Sequence, residues 1–237
     1  MPKKQIHLNR FPVLFLLFIL ISFYACATGL KTQKAESVVT EPFRNEIDTF
    51  IQWDQKNSVP ENAILFVGSS SIRMWKTASA FPELTIINRG FGGSQISNVN
   101  HYYDVIVKKY TPTKIVFYAG DNDIAAGKST EQVFKDFQSF IEKVERDLPE
   151  TPVFYLPIKP SLNRWQLWPQ MAAANEKIRQ FTETRPNLFY VDTAMPMLNK
   201  NSEPNPDLFL DDGLHLNEKG YELWNEILRP FLKNSNR

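Results

Sequence analysis

Five short apolar runs recur along the chain with longer segments between them, and this alternation limits the possible folds most. They are AILFVG (63–68), LTIINR (84–89), KIVFYAG (114–120), PVFYLPI (152–158) and LFYVDT (188–193). Each is rich in β-branched and aromatic residues, and most are apolar at both odd and even positions. A strand of that kind is buried on both faces, which predicts a parallel sheet covered by helices on each side. The intervening segments, starting with EPFRNEIDTFIQWDQKN (41–57) and ISNVNHYYDVIVKKY (96–110), carry apolar stripes at spacings of three and four. The same spacing marks TEQVFKDFQSFIEKVERDL (130–148), QMAAANEKIRQFTETR (170–185) and EKGYELWNEILRPFLKN (218–234). Ser129, with Gln132 three residues on, reads as a capping box at a helix start. The pattern predicts one α/β domain over 41–237, three-layer α/β/α with a five-stranded parallel sheet.

The first 40 residues read differently. Lys3, Lys4 and Arg10 precede an apolar run from Phe11 to Ala25, the layout of a secretory signal over 1–25. That run is short of the ~20 residues that span a bilayer, although extension to Leu30 would give an uncleaved anchor. Cys26, the sole cysteine, stands where the run ends, after Ala25. This resembles a bacterial lipoprotein signal, with Cys26 the lipidation site, although Phe23 and Tyr24 stand where such signals prefer Leu and a small residue. Residues 26–40 are polar, as a tether would be. Removal of the signal takes the formal charge from +1 to −2. With 27 basic and 26 acidic residues in the whole chain, there is no field of one sign to steer nucleic acid. The expected setting is extracytoplasmic, on a membrane through the lipidated N-terminus.

In open parallel sheets, ligands bind beyond the carboxyl ends of the strands. The polar clusters fall there: GSSS after the first run, RGFGGS after the second, GDND after the third, and DDGLHLN just before the last helical segment. Serine hydrolysis requires a nucleophile, a base in reach of it, an orienter for the base, and donors for the oxyanion. Once His7 leaves with the signal, only His101 and His215 can serve as base. His101 sits in a helical pattern with nothing acidic before Asp104. His215 follows Asp212 by three, a spacing that brings carboxylate and imidazole to one side of a turn, so His215 is the better base. Asp211 and Asp192 are competing orienters.

In these four blocks the chain resembles the SGNH hydrolases, the GDSL-type esterases and lipases, over nearly all of residues 60–232. The resemblance implies a flavodoxin-like fold and an ester hydrolase that needs no cofactor or metal. It places Ser70 of GSSS as nucleophile, and the backbone N–H groups of Ser70 and Gly93 with the side chain of Asn122 as the oxyanion hole. It makes Asp212 and His215 the remaining pair. Ser69 stands where the family usually has Asp, a supporting position. The implied reaction passes through an acyl-enzyme on Ser70.

Plainer readings stand beside these. Ser69, Ser70 and Ser71 can all be helix caps, and Gly92 and Gly93 can exist only to turn the chain. The DND run at 121–123 suggests a divalent cation, but a phosphotransfer pair would follow the first strand, and Asp123 is expected to bond N–H groups of its own loop. Trp75, Trp165 and Trp168 read as packing, or alternatively as faces for a sugar or acyl group. The expected substrate is an acetylated carbohydrate or a short acyl lipid. A non-catalytic glycan- or lipid-binding protein and a thioesterase on the same triad are the alternatives. Oligomeric state is not readable.

Overall fold

A computed structural model of the chain describes residues 1–2 and 41–233; the signal segment, Cys26 and the tether at 26–40 lie outside the described residues. Residues Thr40–Arg237 form one compact unit. Its sheet contains β1 (Ile64–Gly68), β2 (Ile86–Gly90), β3 (Lys114–Tyr118), β4 (Val153–Tyr155) and β5 (Leu188–Tyr190), all paired in parallel in the order β2-β1-β3-β4-β5. The helices are α1 (Arg44–Lys56), α2 (Ser70–Arg73), α3 (Thr77–Ala80), α4 (Ile96–His101), α5 (Tyr103–Ile106), α6 (Asp121–Ala125), α7 (Thr130–Asp147), α8 (Trp168–Thr182) and α9 (Glu218–Lys233).

Alternate residues of each strand enter different cores, the direct result of the two-residue strand period. Leu65, Val67, Ile115, Phe117 and Tyr155 pack with Ile47 of α1, Phe137 and Phe140 of α7, and Ile178 of α8. On the other face, Ile64, Phe66, Val116 and Phe154 pack with Trp75, Phe81, and Trp224 and Leu228 of α9. Every residue of β1 and of β3 is buried. Edge strand β2 is buried only at Ile87 and Gly90, because one of its flanks has no neighbouring strand. Lys114, at the start of β3, donates to the carbonyls of Phe231 (3.0 Å) and Leu232 (2.8 Å) at the C-terminal end of α9, where a cation suits the helix dipole.

The structure departs from the pattern in three places. The segment 96–110 is α4, α5 and a 3-10 turn at Lys108–Tyr110 instead of one helix. Its adjacent tyrosines are drawn to different neighbours: the Tyr102 hydroxyl donates to Pro42 O at 2.5 Å, and that of Tyr103 to Lys143 O at 3.0 Å. Strand β4 stops at Tyr155, although burial continues to Ser161. Ser129 caps α7 by accepting from Gln132 N–H at 3.1 Å, but the Gln132 side chain donates to Asp136 instead of closing a box.

Candidate active site

The order β2-β1-β3 sets the carboxyl ends of three strands side by side, with β1 central. Gly68 ends β1 with φ +143°, and a Cβ there would lie 1.8 Å from Tyr118 O, so only glycine lets β1 turn this close to β3. The Ser69 N–H donates to Tyr118 O at 2.9 Å, and α2 begins at Ser70, which is 9% exposed. Ser69 stands at the N-cap of α2, yet its hydroxyl makes no capping bond and is buried without a partner. The expectation that it caps is therefore corrected: among the described residues its Oγ takes no hydrogen-bond partner.

His215 arrives from a turn closed on itself. Phe209 and Leu216 form an antiparallel bridge, and Leu210 N–H donates to His215 O at 2.8 Å. Asp212 Oδ1 accepts from the N–H groups of Leu214 and His215, each at 2.9 Å, while Oδ2 lies 2.6 Å from His215 Nδ1. Desolvation pushes the Asp212 carboxyl up, but the bonds from the His215 ring and these two N–H groups outweigh it and hold it at about 2. An ionised carboxylate only accepts, so Nδ1 carries the ring proton and Nε2 of the neutral ring presents its lone pair. That lone pair faces Ser70 Oγ at 3.1 Å.

The competing groups lie elsewhere. Asp192 accepts from Ala194 N–H (3.1 Å) and Met195 N–H (3.0 Å), and among the described residues the carboxylate that the His215 ring bonds is that of Asp212 and not of Asp211. His101 pairs with Glu41, an acidic neighbour distant in sequence and hidden from any local reading.

Hydrogen bonds interlock the loops after β1, β2 and β3. Gly68 O accepts from Phe91 N–H at 3.0 Å and from the Ser94 hydroxyl at 3.3 Å, and Ser94 O accepts from Asn122 Nδ2 at 3.0 Å. Gly93 has φ +75° with open space around its Cα, and its N–H takes no partner among the described residues. Asp123 serves the neighbouring loop, where its own was expected: its carboxylate accepts from Ile96 N–H (3.1 Å) and from Lys128 Nζ (2.8 Å), seating α4 against α6. Among the described residues, no group of three His, Cys, Asp or Glu converges as a metal site.

Trp75 is 3% exposed, packs on Phe66, Phe81 and Trp224, and donates from Nε1 to Asn225 Oδ1 at 2.8 Å, which makes it chiefly a packing residue. Trp165 and Trp168 are half-buried and stack on each other at 5.9 Å. A cavity of about 400 Å³ lies between the segment after α2 and the start of α9, lined in part by Met74, Trp75, Leu216 and Tyr221, and its lining includes neither Ser70 nor His215.

Sequence reasoning missed Asp121, Lys159, Asn163 and Arg164. Asp121 and Lys159 are buried, with Lys159 Nζ 3.3 Å from Asp121 Oδ2 and 3.1 Å from Tyr118 Oη. Arg164 Nη1 donates to Asn122 Oδ1 at 3.0 Å and lies 3.2 Å from Asp121 Oδ2. The available signal was a lysine inside the otherwise apolar YLPIKP, at the carboxyl edge of a central strand.

The doubly wound parallel sheet is a flavodoxin-like three-layer α/β architecture, with Ser70, His215 and Asp212 in sequential hydrogen-bond contact at its carboxyl edge. The model of the GDSL-like lipase/acylhydrolase family matches residues 71–223, about two thirds of the chain, and the chain belongs to this family of ester hydrolases. The match covers Gly93, Asn122, Asp212 and His215 and begins one residue after Ser70. No curated protein sequence matches the chain. Among solved structures, a GDSL-like lipase from Bacteroides thetaiotaomicron superposes with a TM-score of 0.70 at 18% identity, over 79% of this chain and 97% of that one. A mutant acetyl-xylooligosaccharide esterase from Geobacillus Stearmophilus gives 0.60 at 15%, over 75% and 97%. A carbohydrate esterase family 3 protein from Talaromyces cellulolyticus gives 0.57 at 16%, over 72% and 95%. At these identities the likeness is one of fold.

Proposed function

We propose that the protein is a serine esterase acting on acetylated carbohydrate or a similar short-chain acyl ester, with Ser70 as nucleophile. The observation that carries this reading is the relay from Ser70 Oγ to His215 Nε2 at 3.1 Å and from His215 Nδ1 to Asp212 Oδ2 at 2.6 Å. His215 Nε2 takes the hydroxyl proton as Ser70 Oγ bonds to the carbonyl carbon. The charge that develops on the carbonyl oxygen is met by the N–H groups of Ser70 and Gly93 and by the Asn122 amide. Collapse breaks the carbon–oxygen bond to the alcohol, which leaves with the proton held by His215. Water then attacks the acyl-enzyme, giving its proton to His215, and Ser70 is restored as the acid departs.

The substrate class is supported by the two carbohydrate esterases that share the fold. The test is hydrolysis of p-nitrophenyl acetate and of acetylated xylan by the purified protein, with p-nitrophenyl esters of longer acyl chains and an acyl thioester alongside. Ser70→Ala must abolish turnover. Retained turnover would remove Ser70 from the mechanism, and preference for the thioester or the long chains would move the substrate class.

The N-terminal segment supports export and anchoring through a lipid on Cys26. Incorporation of labelled fatty acid on expression in a bacterium, lost in Cys26→Ser, is the check.

A further inference from the structure

The segment that follows β4 touches both halves of the site through two consecutive residues. Asn163 N–H donates to Gly213 O at 2.9 Å, and its side-chain Nδ2 donates to Asp212 O at 3.3 Å, gripping the turn that carries Asp212 and His215. Arg164 reaches the other way. Its Nη1 has two hydrogens; it lies 3.0 Å from Asn122 Oδ1 and 3.2 Å from Asp121 Oδ2.

This settles which way the Asn122 amide faces. The guanidinium can only donate, so it takes the amide oxygen; Ser94 O can only accept, so it takes one N–H. A flipped amide would set N–H against N–H on one side and oxygen against oxygen on the other. The second N–H of Nδ2 is left as the donor not committed to either neighbour.

Arg164 is itself held. Asp121 is enclosed by Lys159, which is 1% exposed, and by Arg164, and its Oδ1 accepts from Asn122 N–H at 3.1 Å. Two cations around one carboxylate leave a net positive charge beside the amide, in a site shielded from water, where it favours a developing anion.

We propose that Arg164 is a positioning residue for the oxyanion donor. Anchored on the buried Lys159–Asp121 pair, it fixes the Asn122 amide with its free N–H toward the reacting carbonyl. Asn163 meanwhile fixes the Asp212 turn, so that the segment after β4 sets the spacing of the two halves. This inference rests on the proposed serine esterase reading, and the experiment separates the two.

Steady-state hydrolysis of p-nitrophenyl acetate by the full chain is measured for wild type, Ser70→Ala, Asn122→Ala, Arg164→Ala and the Asn122→Ala/Arg164→Ala double variant. Arg164→Ala lowers kcat by about 10- to 10²-fold, below the 10²–10³ typical of losing a donor outright, with KM within about threefold. In the Asn122→Ala background it adds little, because the group it positions is gone. Methylguanidinium at a sub-denaturing concentration restores part of the lost kcat in Arg164→Ala and none in the double variant. A KM increase at unchanged kcat, or losses that multiply in the double variant, overturns the inference. Should Arg164→Ala fail to fold, Arg164→Lys carries the test: it keeps the charge but not the planar fork, and wild-type kcat in that variant overturns the proposal. An inactive Ser70→Ala with a fully active Arg164→Ala sinks this inference alone, whereas an active Ser70→Ala sinks the esterase reading with it.

Discussion

Ser70 Oγ and His215 Nε2 lie 3.1 Å apart across a separation of 145 residues, and the groups that hold them come from opposite ends of the domain. Ser70 opens the helix after the central strand, and His215 sits in the turn before the last helix. Between them in the chain come the loops after β2, β3 and β4, the last of which brings both Asn163 and Arg164 to the site.

The role of Asp212 is separable from that of Asp192. Asp212 binds the imidazole and two backbone N–H groups, while Asp192 caps its own turn. Asp212→Asn is expected to lower kcat by about 10³–10⁴, because the ring loses the acceptor that selects its tautomer. Asp192→Asn should leave kcat within about twofold. Steady-state kinetics on a p-nitrophenyl ester decide it, and equal losses in both variants would contradict the assignment.

Removal of the Asn122 amide tests the proposed oxyanion hole directly. Asn122→Ala should cost about 10²–10³ in kcat with little change in KM, since the donor acts on charge that appears only in the transition state. A variant that kept its kcat and lost affinity would assign Asn122 to ground-state binding.

Two glycines of the site should respond to different degrees to the same change. Gly68→Ala forces a methyl to within 1.8 Å of Tyr118 O, at a φ that L residues avoid. The expected cost is at least about 3 kcal/mol, enough to lose the folded state in a marginal protein. Gly93→Ala meets no atom within 4 Å, and its φ of +75° costs about 1–2 kcal/mol. It should fold and retain its N–H. Urea denaturation of both variants gives the comparison.

The buried Lys159–Asp121 pair predicts a particular response to acid. Burial pushes the Asp121 carboxyl up, but Lys159 and Arg164 outweigh it and hold it below the ordinary aspartate value. A depressed folded-state pKa means that the unfolded chain takes up this proton first. Its stabilising contribution is therefore complete above about pH 4 and is lost as pH falls toward the lower folded value. Asp121→Asn should destabilise the protein by about 3–5 kcal/mol at neutral pH, leaving Lys159 buried without its anion. It should also flatten the fall in stability below about pH 4. Denaturation midpoints measured across that range check both statements.

The sheet, its parallel sense and its flanking helices were legible because burial on both faces of a strand writes itself into consecutive residues, as in KIVFY. The pairing of Asp212 with His215 was legible for the same reason, being a contact between residues three apart. The break within 96–110 was not, since it depends on Tyr102 and Tyr103 reaching Pro42 and Lys143, both far along the chain. The same distance hid Glu41 from His101, and Lys159 and Arg164 from Asp121.

By itself the sequence determined the five strands, the long helices α1, α7, α8 and α9, the layer architecture and the short polar blocks at the strand ends, because periodicity and turn chemistry act over a few residues. Only the tertiary structure decided which of those blocks meet. The order β2-β1-β3 brings Ser94, Gly68 and Asn122 into bonding contact. The path after β4 then turns Asn163 and Arg164 onto both halves of the site. Such meetings follow from how elements pack across the sheet, a long-range balance of burial and shape that no local spacing encodes.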